Sequence, residues 1–457
     1  MADGDKMHLF SMPMGLGGHI AGWRHPRSNP ADILTLGYWR HLAELSEAGK
    51  FDALFLADSQ GFRPIAGAGA FCQTDAVRFD PVTLTAALST FTRHLGFICT
   101  LSTSYNEPYS VARRLATLDH VSAGRAGWNV VTSTSENEAH NFGRESHYGH
   151  AERYARAGEF VDVVKGLWDG WDDDAYLFDR NGGRFFDPAK VHGLFHQGAQ
   201  FKVAGPLTLG RPPQGHPVVV QAGASEDGLQ LAARTAEAVF TSHPTLDSAT
   251  AFYADLKRRV TDAGRPADSL RILCAVQPIV AASREAAEQE ARALDGMIPV
   301  ELAIAQLQMS LGNVDLSGCD PDGPLPELPD SNASLGTRRR ILDLSRDEGL
   351  SLGQIALRTA SARTSMMLTG GPEDVADRLQ TWFEAGAADG FVVAPPALPV
   401  MLERFVETVV PILQARGVFR EHYEGPTLRD HLGLARPVSR YETDPGLHRE
   451  PEIWRPK

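Results

Sequence analysis

Cysteine is scarce. Four of the 457 residues are cysteine (Cys72, Cys99, Cys274, Cys319), far apart in the chain. No CxxC or zinc-like spacing joins them, which excludes a disulfide framework or zinc ribbon and suits a reducing compartment. Positive charge is also in deficit: 44 Lys and Arg against 57 Asp and Glu leave a formal charge of −13. A chain this acidic has no electrostatic pull toward a phosphate backbone or an anionic bilayer, so neither nucleic acid nor membrane is an expected partner. No apolar run approaches the ~18 residues of a membrane-spanning helix. Met1–Leu9 carries Asp3 and Asp5 and lacks an apolar core, so no secretory signal is expected. With 43% hydrophobic and 22% charged residues the composition excludes wholesale disorder and fibrous chains. A soluble, cytoplasmic globular protein is expected.

Several catalytic signatures are missing as well. Gly15-Leu16-Gly17-Gly18-His19-Ile20 comes nearest to a dinucleotide-binding GxGxxG but lacks the last glycine. There is no GxxxxGK[ST], HExxH, GxSxG or EF-hand loop. A metal-dependent hydrolase barrel would pair histidines at a strand end, whereas His8 stands alone in its run. His192 and His196 are flanked by Gly193 and Gly198 and read as loop histidines, and Asp172–Asp174 as a solvated turn. No metal site is expected.

What the chain does have is a repeating rhythm. Eight short apolar runs stand out: His8–Met14, Phe51–Asp58, Leu95–Ser104, Gly127–Ser133, Pro217–Ala222, Ala238–Ser242, Ile272–Val280 and Gly390–Ala394. Their near-continuous apolar character predicts strands buried on both faces, as in a parallel sheet under helices. Between them lie helical patterns. Tyr38–Ala48 is stopped by Gly49, Glu152–Trp168 repeats Phe160, Val163, Val164 and Leu167, and Pro372-Glu373-Asp374 opens another. The alternation predicts a (β/α)₈ TIM barrel or a doubly wound sheet.

Two long interruptions break the rhythm, Gly170–His216, where Asn181-Gly182-Gly183 suits a hairpin turn, and Met297–Thr369, which holds the Pro- and Asp-rich segment Ser317–Pro329. With no repeat and no linker, a single domain over residues 1–457 with insertions near 170–216 and 297–369 is expected, both insertions supplying lid material over the barrel mouth.

Barrel enzymes build their sites at C-terminal strand ends. There the sequence places Asp58, the trio Ser102, Thr103 and Ser104, and Asn129; Ser225 would open the helix after the fifth run. Backbone N–H groups and the dipole at such a helix start attract anions. His150 and Tyr154, four apart, share a helix face. Singly, Ser225 is equally a helix cap, Asp58 a cap, and His150 with Tyr154 a packed face. Jointly they suggest a ligand with a phosphate at one end, held by Tyr154 and Ser225, and a planar hydrogen-bonding body near Asp58, Thr103 and Asn129. No lysine or arginine joins the set.

The block Ser122–Ser133 (SAGRAGWNVVTS), then Asn141-Phe142-Gly143 and Tyr148–Asp162, resembles the bacterial luciferase-like flavin monooxygenases, in particular the nitrilotriacetate, EDTA and dibenzothiophene-sulfone monooxygenase subfamily. His19–Pro26, Val219–Ala224 and Thr427–Tyr441 extend the likeness over nearly the whole chain. The resemblance implies a TIM barrel with insertions and an FMNH₂-dependent monooxygenase working with O₂ through a C4a-peroxyflavin. Its FMN would come reduced from a separate NAD(P)H:flavin reductase. It implies FMN contacts at Asp58, Thr103, His150, Tyr154 and Ser225, with Asn129 a further candidate, and a homodimer or homotetramer. A xenobiotic, organosulfur, amino-polycarboxylate or aromatic substrate is implied. No side-chain nucleophile is implied; His19, Asn129 and His140 are candidates for handling protons or orienting substrate. Trp23, Phe71, Phe185 and Phe186 are aromatics available at the mouth, and Arg24 and Arg27 are available to a carboxylate. The run Ala66-Gly67-Ala68-Gly69, after the second apolar run, departs from the pattern that the resemblance implies. The competing readings are a deazaflavin-dependent oxidoreductase of the same fold, a metal-dependent hydrolase barrel and a non-catalytic flavin-binding barrel.

Overall fold

The computed structural model describes residues 6–62, 77–133, 135–223, 225–312, 314–328, 335–362 and 366–448. Cys72, Phe71 and the run Ala66–Gly69 lie outside them. Eight parallel strands close on themselves: β1 (His8–Ser11), β2 (Ala53–Leu56), β3 (Gly96–Ser102), β4 (Ala126–Val131), β5 (Val218–Gln221), β6 (Ala238–Thr241), β7 (Arg271–Val280) and β8 (Gly390–Val393). Each pairs with the next, and β8 returns to β1 through His8↔Gly390. The eight runs read from the sequence are these eight strands, and the architecture is the TIM barrel rather than the doubly wound sheet. Gly390 is required at that seam, because a Cβ there would lie 2.1 Å from the His8 carbonyl oxygen.

The strands read as uninterrupted apolar runs because both faces are covered. Phe10, Ala53, Phe55, Ile98, Val218, Val220, Ala238, Leu273 and Val392 fill the interior. Leu54, Phe97, Trp128 and Val219 face outward onto helices. The helices that position the site are α1 (Leu36–Ala48), α2 (Pro81–Leu88), α3 (Pro108–Val121), α4 (Glu136–Asn141), α5 (His150–Trp168) and α6 (Glu226–Thr235). As read, Gly49 caps α1 and Pro372 opens the helix Pro372–Glu384. Trp128 packs edge-on against Trp168 at 6.3 Å, fixing α5 to the barrel wall.

The barrel floor is sealed from below. Leu428, Leu432 and Leu434 of the C-terminal tail join the interior cluster. Gly96 and Gly127 make room for them: a Cβ at either would meet Leu428 side-chain carbons, at 2.6 and 3.4 Å. Arg429 anchors this plug. Its side chain is 2% exposed and forms a bidentate pair with Glu237 at 2.6 and 3.0 Å.

The first insertion differs from expectation. It packs at the floor and not over the mouth, because α5 has already carried the chain back to the N-terminal strand ends before the insertion begins. Gln214 accordingly donates to the carbonyl of Ala126, the first residue of β4, at 2.8 Å, and His216 pairs with Asp169 at 2.8 Å. The hairpin Tyr176–Asp179/Arg184–Phe186 forms around Asn181-Gly182-Gly183 as predicted, with Gly183 at φ +67°. It takes Phe185 and Phe186 away from the mouth, with Phe186 against Trp171 at 5.3 Å. Asp172–Asp174 forms the expected turn with Asp173 and Asp174 exposed, and ion pairs tie it down as well: Asp172 meets His192 at 2.7 Å, Asp173 meets Arg436 at 2.7 Å, and Asp174 meets Lys190.

The second insertion follows the helix Arg284–Asp295, whose last residue meets His19 of the loop after β1 at 3.1 Å, and stands on the mouth side. Its buried Leu302, Leu307 and Ile355 pack on Ile20 and Ala21 from the loop after β1. A further strand, Met366–Gly370, extends the sheet along the upper half of β7 from Val276↔Met366 to Val280↔Gly370. No helix among the described residues is long and apolar enough to cross a membrane.

Candidate active site at the barrel mouth

The residues singled out in the sequence converge on the C-terminal ends of the strands. Ser225 is the N-cap of α6, its Oγ accepting from the Gly228 N–H at 3.2 Å. The same Oγ lies 3.3 Å from the Tyr154 hydroxyl, which reaches across from the first turns of α5. His150 starts α5, its ring 4.9 Å from that of Tyr154. Four neighbours in space thus come from two helix N-termini, where unpaired N–H groups and the dipole favour an anion. Gly228 keeps the corner open: a Cβ there would lie 3.1 Å from Ser225 Oγ, 3.2 Å from Gly223 Cα and 3.2 Å from the Tyr154 hydroxyl.

Thr103 and Asn129 lie on the neighbouring wall. Thr103 is fully buried and donates its hydroxyl to the Val131 carbonyl at 3.1 Å, which leaves that oxygen free to accept. Asn129 alternates with the outward-facing Trp128 and Val130 and so points into the barrel. Its amide nitrogen donates to Thr100 at 3.0 Å while its Oδ1, buried, meets no donor among the described residues. A buried carbonyl oxygen without a partner calls for one from a ligand or a water.

Asp58 follows β2, the strand that pairs with β3. Burial pushes its carboxyl above the usual range, against the pull of the Ser59 backbone N–H and Arg78. The loop that carries it is held by α4: Glu138 accepts from the Gln60 N–H at 2.8 Å and the Ser59 hydroxyl at 3.1 Å. Asn141 donates to the Gln60 carbonyl at 2.8 Å.

Sequence reasoning missed part of this neighbourhood. Asp227 sits beside the anion corner, its Oδ2 3.0 Å from His150 Nδ1. Arginines do approach the set: Arg156 donates to the Thr103 carbonyl at 3.1 Å and Arg153 lies 6.0 Å from the Tyr154 ring centre. Tyr105 and His147 are hydrogen-bonded to each other near the same rim, and burial pushes the tyrosine up to about 12 and the imidazole down. Asp227 was visible as the third residue of Ser225-Glu226-Asp227, a helix start rich in acids. The Tyr105–His147 contact carried no such signal, since 42 residues separate the two.

The three proton-handling candidates part company. His140 is exposed and bonds the nearby Glu145 carbonyl, at 3.2 Å. His19 is buried, accepts from the Ala21 N–H at 3.1 Å and therefore donates through Nε2 to Asp295, also at 3.1 Å. It braces the loop after β1 against the second insertion. Asn129 alone faces the barrel interior. Arg24 donates to the Met297 carbonyl and Arg27 to Glu403 at 3.3 Å, so both arginines bind the protein's own acceptors. His192 pairs with Asp172, His196 with Glu159 at 2.9 Å, and no cluster of three metal-ligating side chains occurs among the described residues.

Comparison with known proteins agrees with the geometry. Residues 16–389 match the family model described as luciferase-like monooxygenase. The chain is 45% identical over 449 residues to nitrilotriacetate monooxygenase component A of Aminobacter aminovorans, covering 96% of this chain and 98% of that protein. It is 44% identical over 430 residues to N-acetyl-S-(2-succino)cysteine monooxygenase of Bacillus subtilis strain 168, covering 93% and 96%. The crystal structure of a riboflavin lyase with modified FMN and riboflavin superposes with a TM-score of 0.86 at 34% identity, covering 97% of this chain and all of that one. The chain belongs to the luciferase-like monooxygenase family.

Proposed function

We propose that this protein is the oxygenase component of a two-component flavin monooxygenase. It would take reduced FMN from a separate NAD(P)H-dependent reductase and use O₂ to oxygenate a small organic molecule. The observation that carries the reading is the corner where Tyr154 and Ser225 meet beside His150, in a family of monooxygenases, with one relative named a component A and one structural neighbour holding a modified FMN.

The residues present fit the cofactor. The α6 N-terminus, Ser225, Tyr154 and His150 would hold the mononucleotide phosphate with N–H and O–H donors. Asn129 Oδ1 and Thr103 Oγ1 are acceptors with capacity to spare, suited to ring N–H groups, and Asp58 would meet the ring from the adjoining end of β2. Reduced flavin, when bound, supplies the electrons that activate O₂; holding, orienting and keeping water off it are the protein's tasks. The wall at Thr100, Thr103 and Asn129 is buried, and the second insertion stands at the same end of the barrel, so the chain can exclude bulk water from the ring's place.

The reading is tested by adding photoreduced FMN anaerobically and then admitting O₂. Tight binding, with slower reoxidation and less hydrogen peroxide released than from free reduced FMN, is the expected result. No measurable affinity, or stronger binding of a deazaflavin, would overturn it. A further expectation concerns Gly228→Ala. Alanine favours the helix by about 1 kcal/mol, but its methyl would crowd the Tyr154 hydroxyl and Ser225 Oγ. Flavin affinity is expected to fall while thermal stability holds, as flavin-fluorescence titration beside a melting curve would show.

A further inference from the structure

The anion corner contains an anion of its own. Asp227 lies in the first turn of α6, two residues from Ser225, with Oδ2 3.0 Å from His150 Nδ1. Among the described residues the groups around the imidazole are few. Asp227 faces it from α6 and Tyr154 from its own helix, with Arg153 6.0 Å from the Tyr154 ring centre. Glu226, next to Asp227, is turned to Arg259 at 2.6 and 3.0 Å.

This arrangement constrains where protons sit. A carboxylate only accepts, so the Nδ1 facing Asp227 must carry hydrogen. In the neutral ring Nε2 is then a lone-pair acceptor, and phosphate oxygens also only accept. The corner can therefore bind a phosphate through His150 only if Nε2 gains a proton as well. Without it, the Asp227 carboxylate stands beside the incoming phosphate with a neutral ring between them. With it, an imidazolium bridges two anions through two charge-assisted bonds. The side chains of His150 and Asp227 are 49% and 42% exposed, so solvent can deliver the proton directly.

We propose that Asp227 is a positioning residue that fixes His150 so that binding of the flavin phosphate is coupled to uptake of one proton, taken from solvent onto His150 Nε2. The proposal rests on the phosphate-site reading above and adds to it a residue and a regulation, tighter capture of FMN as pH falls.

Anaerobic titration calorimetry near pH 8, in phosphate-free buffers of different ionisation enthalpy, tests it with photoreduced FMN and photoreduced riboflavin, which has no phosphate. The parent is expected to take up roughly one proton per FMN and none per riboflavin. Asp227→Asn keeps an acceptor for Nδ1 but removes the charge. It should lose most of the uptake and bind FMN roughly tenfold more weakly, with riboflavin unchanged. His150→Gln should abolish the uptake. Unchanged uptake in Asp227→Asn, tighter FMN binding in that variant, or uptake persisting in His150→Gln would overturn the proposal. A parent that binds FMN no better than riboflavin would instead remove the phosphate site itself, a separate and distinguishable failure.

Discussion

Glu237→Ala is expected to destabilise the protein by about 3–5 kcal/mol, the usual cost of stranding one partner of a buried ion pair. Glu237 accepts from both terminal nitrogens of Arg429, at 2.6 and 3.0 Å, and from the Val219 N–H at 3.1 Å. Lys165, buried nearby, donates to the Thr235 carbonyl at 3.0 Å. Removing the carboxylate leaves two cations under the barrel floor and loosens the tail that plugs it. Burial alone would raise the Glu237 carboxyl, but the Arg429 and Lys165 charges overcome it and hold it at about 2. A carboxyl depressed in the folded state contributes stability above its unfolded value, about 4.3. That contribution is lost as pH falls from there toward the folded value. The penalty of Glu237→Ala should therefore be full at pH 7 and shrink in acid, as urea unfolding midpoints at several pH values would show. An equal penalty at all pH values would mean that packing and not charge is what Glu237 supplies. Because this pair sits at the opposite end from Tyr154 and Ser225, the folded variant should still bind flavin like the parent.

That separation of ends was only half legible in the sequence. The eight strands were, because doubly buried parallel strands need unbroken apolar residues, and runs such as VVVQ in β5 have no other use. The ninth strand, Met366–Gly370, was not: its burial alternates, and it pairs only with the upper half of β7. The plug helix Leu428–His431 is a single turn, too short to show any period. The side on which each insertion packs follows from topology more than from composition. Each insertion packs at the end of the barrel the chain has reached: α5 has returned to the floor before 170–216, whereas the helix Arg284–Asp295 ends beside His19 at the mouth before 297–369. Aromatic richness in 170–216 pointed toward a binding lid, yet Trp171, Tyr176 and Phe186 form their own small core. At the site, residue types at strand ends and helix starts placed Ser225, Tyr154 and His150 in one corner. Arg156 enters through a contact across elements that no local pattern records, and Asp227, visible at its helix start, gains its role only from the contact with His150 on another helix.

The second large effect concerns that corner. Tyr154→Phe and Ser225→Ala should each weaken binding of reduced FMN by about 1–2 kcal/mol, the loss of one hydrogen bond to a charged group. Ser225→Ala also removes the cap on the Gly228 N–H and so lowers stability by about 1 kcal/mol, which Tyr154→Phe does not. The two hydroxyls are 3.3 Å apart, so each orients the other as well as the ligand. Losses at sites in contact are not additive, with coupling of about 0.5 kcal/mol or more. The double variant is expected to lose about 2–3 kcal/mol in all, a fall of roughly 30- to 150-fold in affinity. Riboflavin supplies the control, because without a phosphate it should bind all four proteins of the cycle alike. If riboflavin weakens in parallel with FMN, the hydroxyls shape the barrel mouth and do not grip a phosphate. If FMN alone weakens and the two losses couple, one oxyanion touches both side chains.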